Sequence, residues 1–172
     1  MRLHNKIIAS GGYVMKKLIL LCIVLFSAFS LAGCASAKSG GDGGKRTDGG
    51  KVVEIMYIYI NGNKLKAELE DNSSASALTA VLKEKDIVYI ADDYGGFEKV
   101  GNLGFNLPTN DKPTSTTAGD VILYQGNSLC LYYGENSWTF TRIGRIVGYS
   151  SSEINTLLGA GNGSQTVTLS LK

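Results

Sequence analysis

The chain has 172 residues, with 17 Lys and Arg against 15 Asp and Glu, a formal net charge of +2. That length suggests one domain. Its one histidine is His4, and its three cysteines are Cys22, Cys34 and Cys130; if the leader described next is removed, no histidine remains, which excludes Ser-His-Asp and Cys-His catalysis and imidazole metal sites.

Residues 1–14 have no signal-like logic and read as an upstream start artefact. Met15 is followed by Lys16, Lys17, an apolar run and a small-residue end, the pattern of a secretory signal peptide over residues 15–33. Leu31-Ala32-Gly33-Cys34 resembles the lipobox of bacterial lipoproteins, which implies lipidation of Cys34. The competing reading, a plain membrane span, has only the 16 residues 18–33, short for a bilayer. The expected location is therefore the cell membrane, lipid-anchored, on the extracytoplasmic side, with the membrane as a partner. Removal of the leader leaves 13 basic and 15 acidic residues, a net charge of −2. No basic cluster marks the domain, so nucleic acid is not an expected partner. Cys130 is then left without a disulfide partner and reads as a buried structural thiol in "SLCLYY".

Residues 35–50 hold six glycines and no aliphatic residue larger than Ala. Together with Cys34 and Lys51 they predict a flexible tether over 34–51, reaching roughly 20–25 Å. The domain is expected over 52–172. "VVEIMYIYI" predicts a strand, Asn61-Gly62 a hairpin turn, and "KLKAELE" a strand with one wet face. Asn72, Ser73 and Ser74 offer an N-cap, and Ala75, Leu78 and Leu82 form a helical stripe behind it. "DIVYIA" predicts a strand, and residues 92–112 a turn-rich stretch with short extended pieces. "DVILY" and "SLCLYY" flank a tight turn at Gln125-Gly126-Asn127. Gly134 to Ser137 is expected as the connection into the strand carrying Trp138 and Phe140. Ser150 and Glu153 form a capping box before Ile154, Leu157 and Leu158, and "QTVTLSLK" closes as a strand. Many short strands with two short helices predict a mainly β fold, a small closed antiparallel β-barrel of about eight strands.

Three segments in order, "DDYGGFEKVGNLGFNLPTND", "GDVILYQGN" and "YYGENSWTFTRIGRI", resemble the bacterial cyclophilin-like domain family. The resemblance covers about residues 52–172 and implies a cyclophilin-type barrel of about eight strands with two helices. Prolyl isomerases of that fold carry their Arg in an F-H-R strand with a downstream Q-G-G-D segment. This chain has neither.

Arg142 follows a core-like strand within the matching motif. A partly buried guanidinium needs an acceptor, and Glu98, Asp92 or Asp93 are candidates for a structural pair. The functional reading makes Arg142 a donor to a peptide carbonyl or carboxylate, with Tyr94, Phe97 and Trp138 as apolar walls and Gln125 or Asn127 as polar contacts. Asp92, Asp93 and Glu98 do not have calcium-loop spacing, and no P-loop, C-x-x-C or H-E-x-x-H is present. Neither metal nor other cofactor is therefore expected. The leading expectation is a module that binds a peptide or small ligand without catalysis. One alternative is a peptidyl-prolyl isomerase using Arg142, which would need no histidine. The other is a structural or assembly partner.

Overall fold

The computed structural model describes residues 46–48 and 51–172, all within one compact unit, Gly41–Lys172. The leader, Cys34 and most of the expected tether lie outside the described residues. Among the described residues, no helix is long and apolar enough to cross a membrane.

Two short strands come first, β1 (Arg46–Asp48) and β2 (Lys51–Val53), paired antiparallel. Extended pairing thus begins inside the segment expected to be tether. β3 (Ile55–Ile60) and β4 (Asn63–Leu69) follow as a hairpin around Asn61-Gly62. Both turn residues have positive φ, as the favoured two-residue hairpin turn requires. Helix α1 (Ser73–Glu84) is capped by Asn72, whose side chain accepts from the Ala75 amide at 2.9 Å. Its buried residues include Ala75, Leu78 and Leu82, the stripe expected from the spacing.

β5 (Ile87–Tyr94) runs three residues beyond the expected "DIVYIA". β6 (Glu98–Asn102) arises in the turn-rich stretch expected to hold only short extended pieces, and β7 (Lys112–Thr116) begins at its last residue, where no strand was expected. β8 (Asp120–Tyr124), β9 (Ser128–Tyr132) and β10 (Asn136–Ile146) come next. Helix α2 (Ser151–Leu157) carries the expected capping box at Ser150 and Glu153, and β11 (Gln165–Ser170) ends the fold.

The sheet order is β4-β3-β11-β5-β6-β9-β8-β10-β7, with a further pairing of β4 to β10. That last pairing closes eight strands into a ring and leaves β7 outside, on the first half of β10. All the pairings are antiparallel. Over the described residues the protein is therefore mainly β, one nine-stranded antiparallel sheet with two helices beside the small β1–β2 pair.

Alternation sends one face of β3, β4, β5, β8, β9, β10 and β11 into a large apolar cluster, with Ile58, Leu65, Val121, Leu131, Ile143 and Val167 all fully buried. Each such side chain contributes roughly 1.5–3 kcal/mol on leaving water. The opposite faces of β8, β9 and β10 are buried as well. There Ile122, Cys130, Tyr132 and Phe140 form a second, smaller cluster with Phe97 and Val100. This outward cluster is the floor on which the candidate site is built.

Candidate functional site

Strand register decides which side chains share the outward face. Directly opposed residues point to the same side. Glu98 opposes Tyr132, Val100 opposes Cys130, Cys130 opposes Ile122 and Ile122 opposes Arg142. A groove of about 430 Å³ opens on this face, lined by side chains from β5, β6, β8, β9 and β10 and from the turns beside them. Its size suits a small ligand or a few peptide residues.

The walls are aromatic. Tyr94 and Trp138 stand at the rim, 64% and 65% exposed, and Tyr124 is also exposed. Phe97 stacks on Tyr132 with centroids 6.0 Å apart, and Phe140 meets both Tyr132 and Tyr124 edge-on. Phe97 takes its place because two glycines make room. A Cβ at Gly134 would lie 2.8 Å from Phe97 Cβ, and one at Gly95 would strike the ring itself. The "YGGF" turn and the "YYG" segment therefore belong to one small assembly.

The floor is polar at one point. Glu98 is 6% exposed, and its Oε2 has no hydrogen-bond partner. Burial pushes its carboxyl above the ordinary value, while bonds from Tyr132 and Cys130 act the other way. Burial likewise pushes the Cys130 thiol and the Tyr132 phenol up, with Glu98 adding to both. Cys130 thus keeps its proton and is a poor nucleophile. Asn136 Nδ2 donates to Tyr132 Oη at 3.4 Å, and Gln125 Nε2 to Tyr124 Oη at 3.1 Å.

Of the residues expected at the site, Tyr94, Phe97, Gln125 and Trp138 line this groove. Asn127 and Arg142 are not among its lining residues. Asn127 is spent in the β8–β9 turn, where its amide bonds the Tyr124 carbonyl and its own carbonyl accepts from Leu103. Arg142 shares the outward face but lies beyond Ile122. Its guanidinium bonds Asp120, and its Nη2 donates to the Ser115 carbonyl at 3.2 Å. The acceptor is thus Asp120, not Glu98, Asp92 or Asp93. Arg145 Nη1 reaches the same Asp120 oxygen at 2.6 Å, and the Thr117 amide donates to the other.

Asp92, Asp93 and Glu98 are likewise drawn apart. Asp93 pairs with the fully buried Lys99 at 2.8 Å, accepts from Tyr133 Oη at 3.0 Å and from the Gly163 amide at 2.8 Å. Lys99 Nζ also donates to the Gly163 carbonyl at 2.6 Å. Asp92 accepts from Ser164, and Glu98 faces the groove alone. Among the described residues no three His, Cys, Asp or Glu are grouped to hold a metal.

Sequence reasoning missed Glu98, Tyr132, Asn136 and Phe140 as groove residues. Asn136 and Ser137 were expected in a connection, yet they are strand residues opposite Thr116 and Ser115. β7 was not foreseen, so its partner residues had no ladder to join.

The comparisons bear on this arrangement at the level of the fold. A family model described as the cyclophilin-like family matches residues 58–170. The chain belongs to that family. The match begins within β3 and takes in the rest of the ring and both helices. The solution structure of the hypothetical protein AF2241 from Archaeoglobus fulgidus is similar, with a TM-score of 0.52 and 20% identity, covering 73% of this chain and 100% of that one. At that identity the likeness is one of cyclophilin-like fold alone. A structure of McbB in complex with tryptophan matches at a TM-score of 0.49 and 15% identity over 67% of this chain and 44% of that one, too remote to bear on the site. No curated protein matches the sequence.

Proposed function

We propose that the outward groove is a binding site for a peptide or small ligand, on a cyclophilin-like module that does no covalent chemistry. The observation carrying this reading is the pairing of an aromatic-walled groove of about 430 Å³ with a few convergent polar groups, the usual make-up of a ligand site. The fold reading that accompanies it is a small closed β-barrel with the groove on its outer surface. The lipobox ending at Cys34 supports a module held by lipid on the extracytoplasmic face of a membrane. Its tether would let the groove reorient toward ligands near that membrane.

The isomerase alternative used Arg142 as donor to the prolyl nitrogen. Asp120 and Ser115 already engage that guanidinium, and no Lys or Arg lines the groove. This favours binding over catalysis. The test is two-dimensional exchange NMR on a panel of Xaa-Pro peptides. Uncatalysed exchange takes tens of seconds or longer. At sub-stoichiometric protein we expect no exchange cross-peaks, and at excess protein selective broadening of the peptides that bind. Catalysed exchange would overturn the non-catalytic reading. An unbroadened panel would remove Xaa-Pro peptides as ligands.

A further inference from the structure

The groove has one ionisable acid and no cation. Glu98 lies at its floor, more than nine-tenths buried, with Oε2 unpartnered. A buried polar atom without a partner is costly, and more so when charged. Native folds leave few such groups, and this one faces a groove open to a partner. The neighbour that follows in sequence does not help, because Lys99 points to the other face and is held by Asp93 and Gly163.

The surroundings specify what the missing partner is. Tyr132 and Cys130, the groups that act on the Glu98 carboxyl, are themselves hydrogen donors, and Oε2 still has no partner. It calls for an N–H donor rather than another acceptor. The walls add a second preference. Tyr94, Phe97, Tyr124, Trp138 and Phe140 line the groove, and ring faces attract a cation, most strongly where water is excluded. A carboxylate below and rings around it match a positively charged nitrogen that still carries hydrogens.

We propose that the groove binds an organic ammonium, a primary or secondary amine attached to an aromatic or bulky apolar group, with Glu98 as its counter-ion. This rests on the reading of the groove as a binding site and names its ligand class. The N–H group reaches Glu98 Oε2, and the apolar part lies among Phe97, Phe140 and Trp138. The same group occurs on free amines and on the lysine side chain of a peptide.

The protein carries its own reporter, since Trp138 is its only tryptophan. The full chain in detergent is titrated by Trp138 fluorescence with phenethylamine, its neutral analogue 2-phenylethanol, and its N-trimethylated form. An acetyl-Phe-Lys-Phe-amide peptide presents the ammonium on a polypeptide. Phenethylamine is expected to bind about tenfold or more tightly than the alcohol. It should also exceed the trimethylated cation, which has no N–H. Glu98→Gln is expected to remove that advantage. Whichever of phenethylamine and the peptide binds more tightly identifies the source, and either result upholds the ammonium class.

The pH profile of the wild-type chain gives a readout that does not depend on a variant folding. The groups facing Glu98 are Tyr132 and Cys130 on β9, with Tyr133 beside them and Tyr94 and Tyr124 at the rim. Burial holds the Tyr132 and Cys130 protons in place. Glu98 is thus the group that changes charge on mild acidification, and its carboxyl titrates above 4.5. Phenethylamine affinity should fall as pH drops through that range, while 2-phenylethanol affinity stays level.

Equal binding of the amine and the alcohol, or an unchanged amine affinity in folded Glu98→Gln, overturns the ammonium proposal. Silence of Trp138 toward every probe overturns it too. If Xaa-Pro peptides still bind, the groove reading survives that silence. If they are also silent, both fall.

Discussion

Asp93 and Glu98 are acids only five positions apart, yet the fold treats them in opposite ways. Burial pushes the Asp93 carboxyl up, but Lys99, the Gly161 and Gly163 amides and Tyr133 outweigh it and hold the carboxyl below the ordinary 3.8. The unfolded chain therefore takes up this proton first on acidification. Asp93 contributes stability above the unfolded value, and the contribution drains away as pH falls through the lower folded value. The loop containing Gly161 and Gly163 should open first, seen as lost amide protection at Gly163 below pH 3.8 while the β3–β4 ladder stays protected. Simultaneous loss at both places would show that Asp93 is no local latch. The sequence made part of this legible. Arg142 could be recognised as a partly buried guanidinium needing an acceptor. Which acid answers it depends on the β8–β10 register, which sets Arg142 against Ile122 and Arg145 against Asp120. Nothing local to "TRIGRI" encodes a register with residues about twenty positions away. Glu98 was missed for the same reason, since its face becomes known only once β6 is laid against β9.

At the level of elements, the ring is sealed where β10 changes partners. β10 pairs with β7 over its first half, then with β8, and finally also with β4, with an irregularity between Arg142 and Gly144. Gly144 is needed there because a Cβ would lie 2.3 Å from the Glu68 carbonyl oxygen. Backbone on one side and a buried strand on the other leave no room to yield. Gly144→Ala is expected to cost about 1–3 kcal/mol, measured by thermal unfolding, with early amide exchange at Leu69 and Ile146. A neutral effect would mean that β4 and β10 are not tightly joined. The elements with strong local signals were readable from sequence: Asn72 capping α1, the Ser150–Glu153 box of α2, the Asn61-Gly62 turn, and the apolar strands. β6 and β7 were not. "EKVGN" and "KPTST" are polar and contain Gly or Pro, residues depleted in strands. They become strands because β9 and β10 offer ladders that tertiary contact completes. The loop between β6 and β7 is fixed in a similar way. Ser74 Oγ donates to the Pro108 carbonyl at 2.5 Å, the Asn110 amide donates to Thr141 Oγ1 at 2.7 Å, and Asn110 Nδ2 donates to Ser73 and Ser74.

Across the whole molecule, two faces of one sheet divide the work. The inward face makes the large apolar cluster that stabilises the ring, while the outward face of β6, β8, β9 and β10 makes a small buried cluster at the base of the groove. A solvated outer face would ordinarily be polar. Here it carries Ile122, Cys130, Tyr132 and Phe140, a second apolar layer beneath a groove. The exposed rings at its rim, Tyr94 and Trp138, are the kind of surface that commonly marks a contact site. Arg142 and Arg145 hold the far end of the same face together through Asp120. The central claim is therefore spatial: ligands meet the Glu98 groove and not the Arg142 cluster. The direct measurement is a chemical-shift titration of the isotope-labelled full chain with phenethylamine and with the Xaa-Pro peptides. The account predicts movement of the Trp138 indole signal and the amides of Phe97, Cys130, Tyr132 and Phe140, with Ser115, Asp120 and Arg142 unmoved. Shifts centred on Arg142 and Asp120, with Trp138 and Phe97 unmoved, would contradict it.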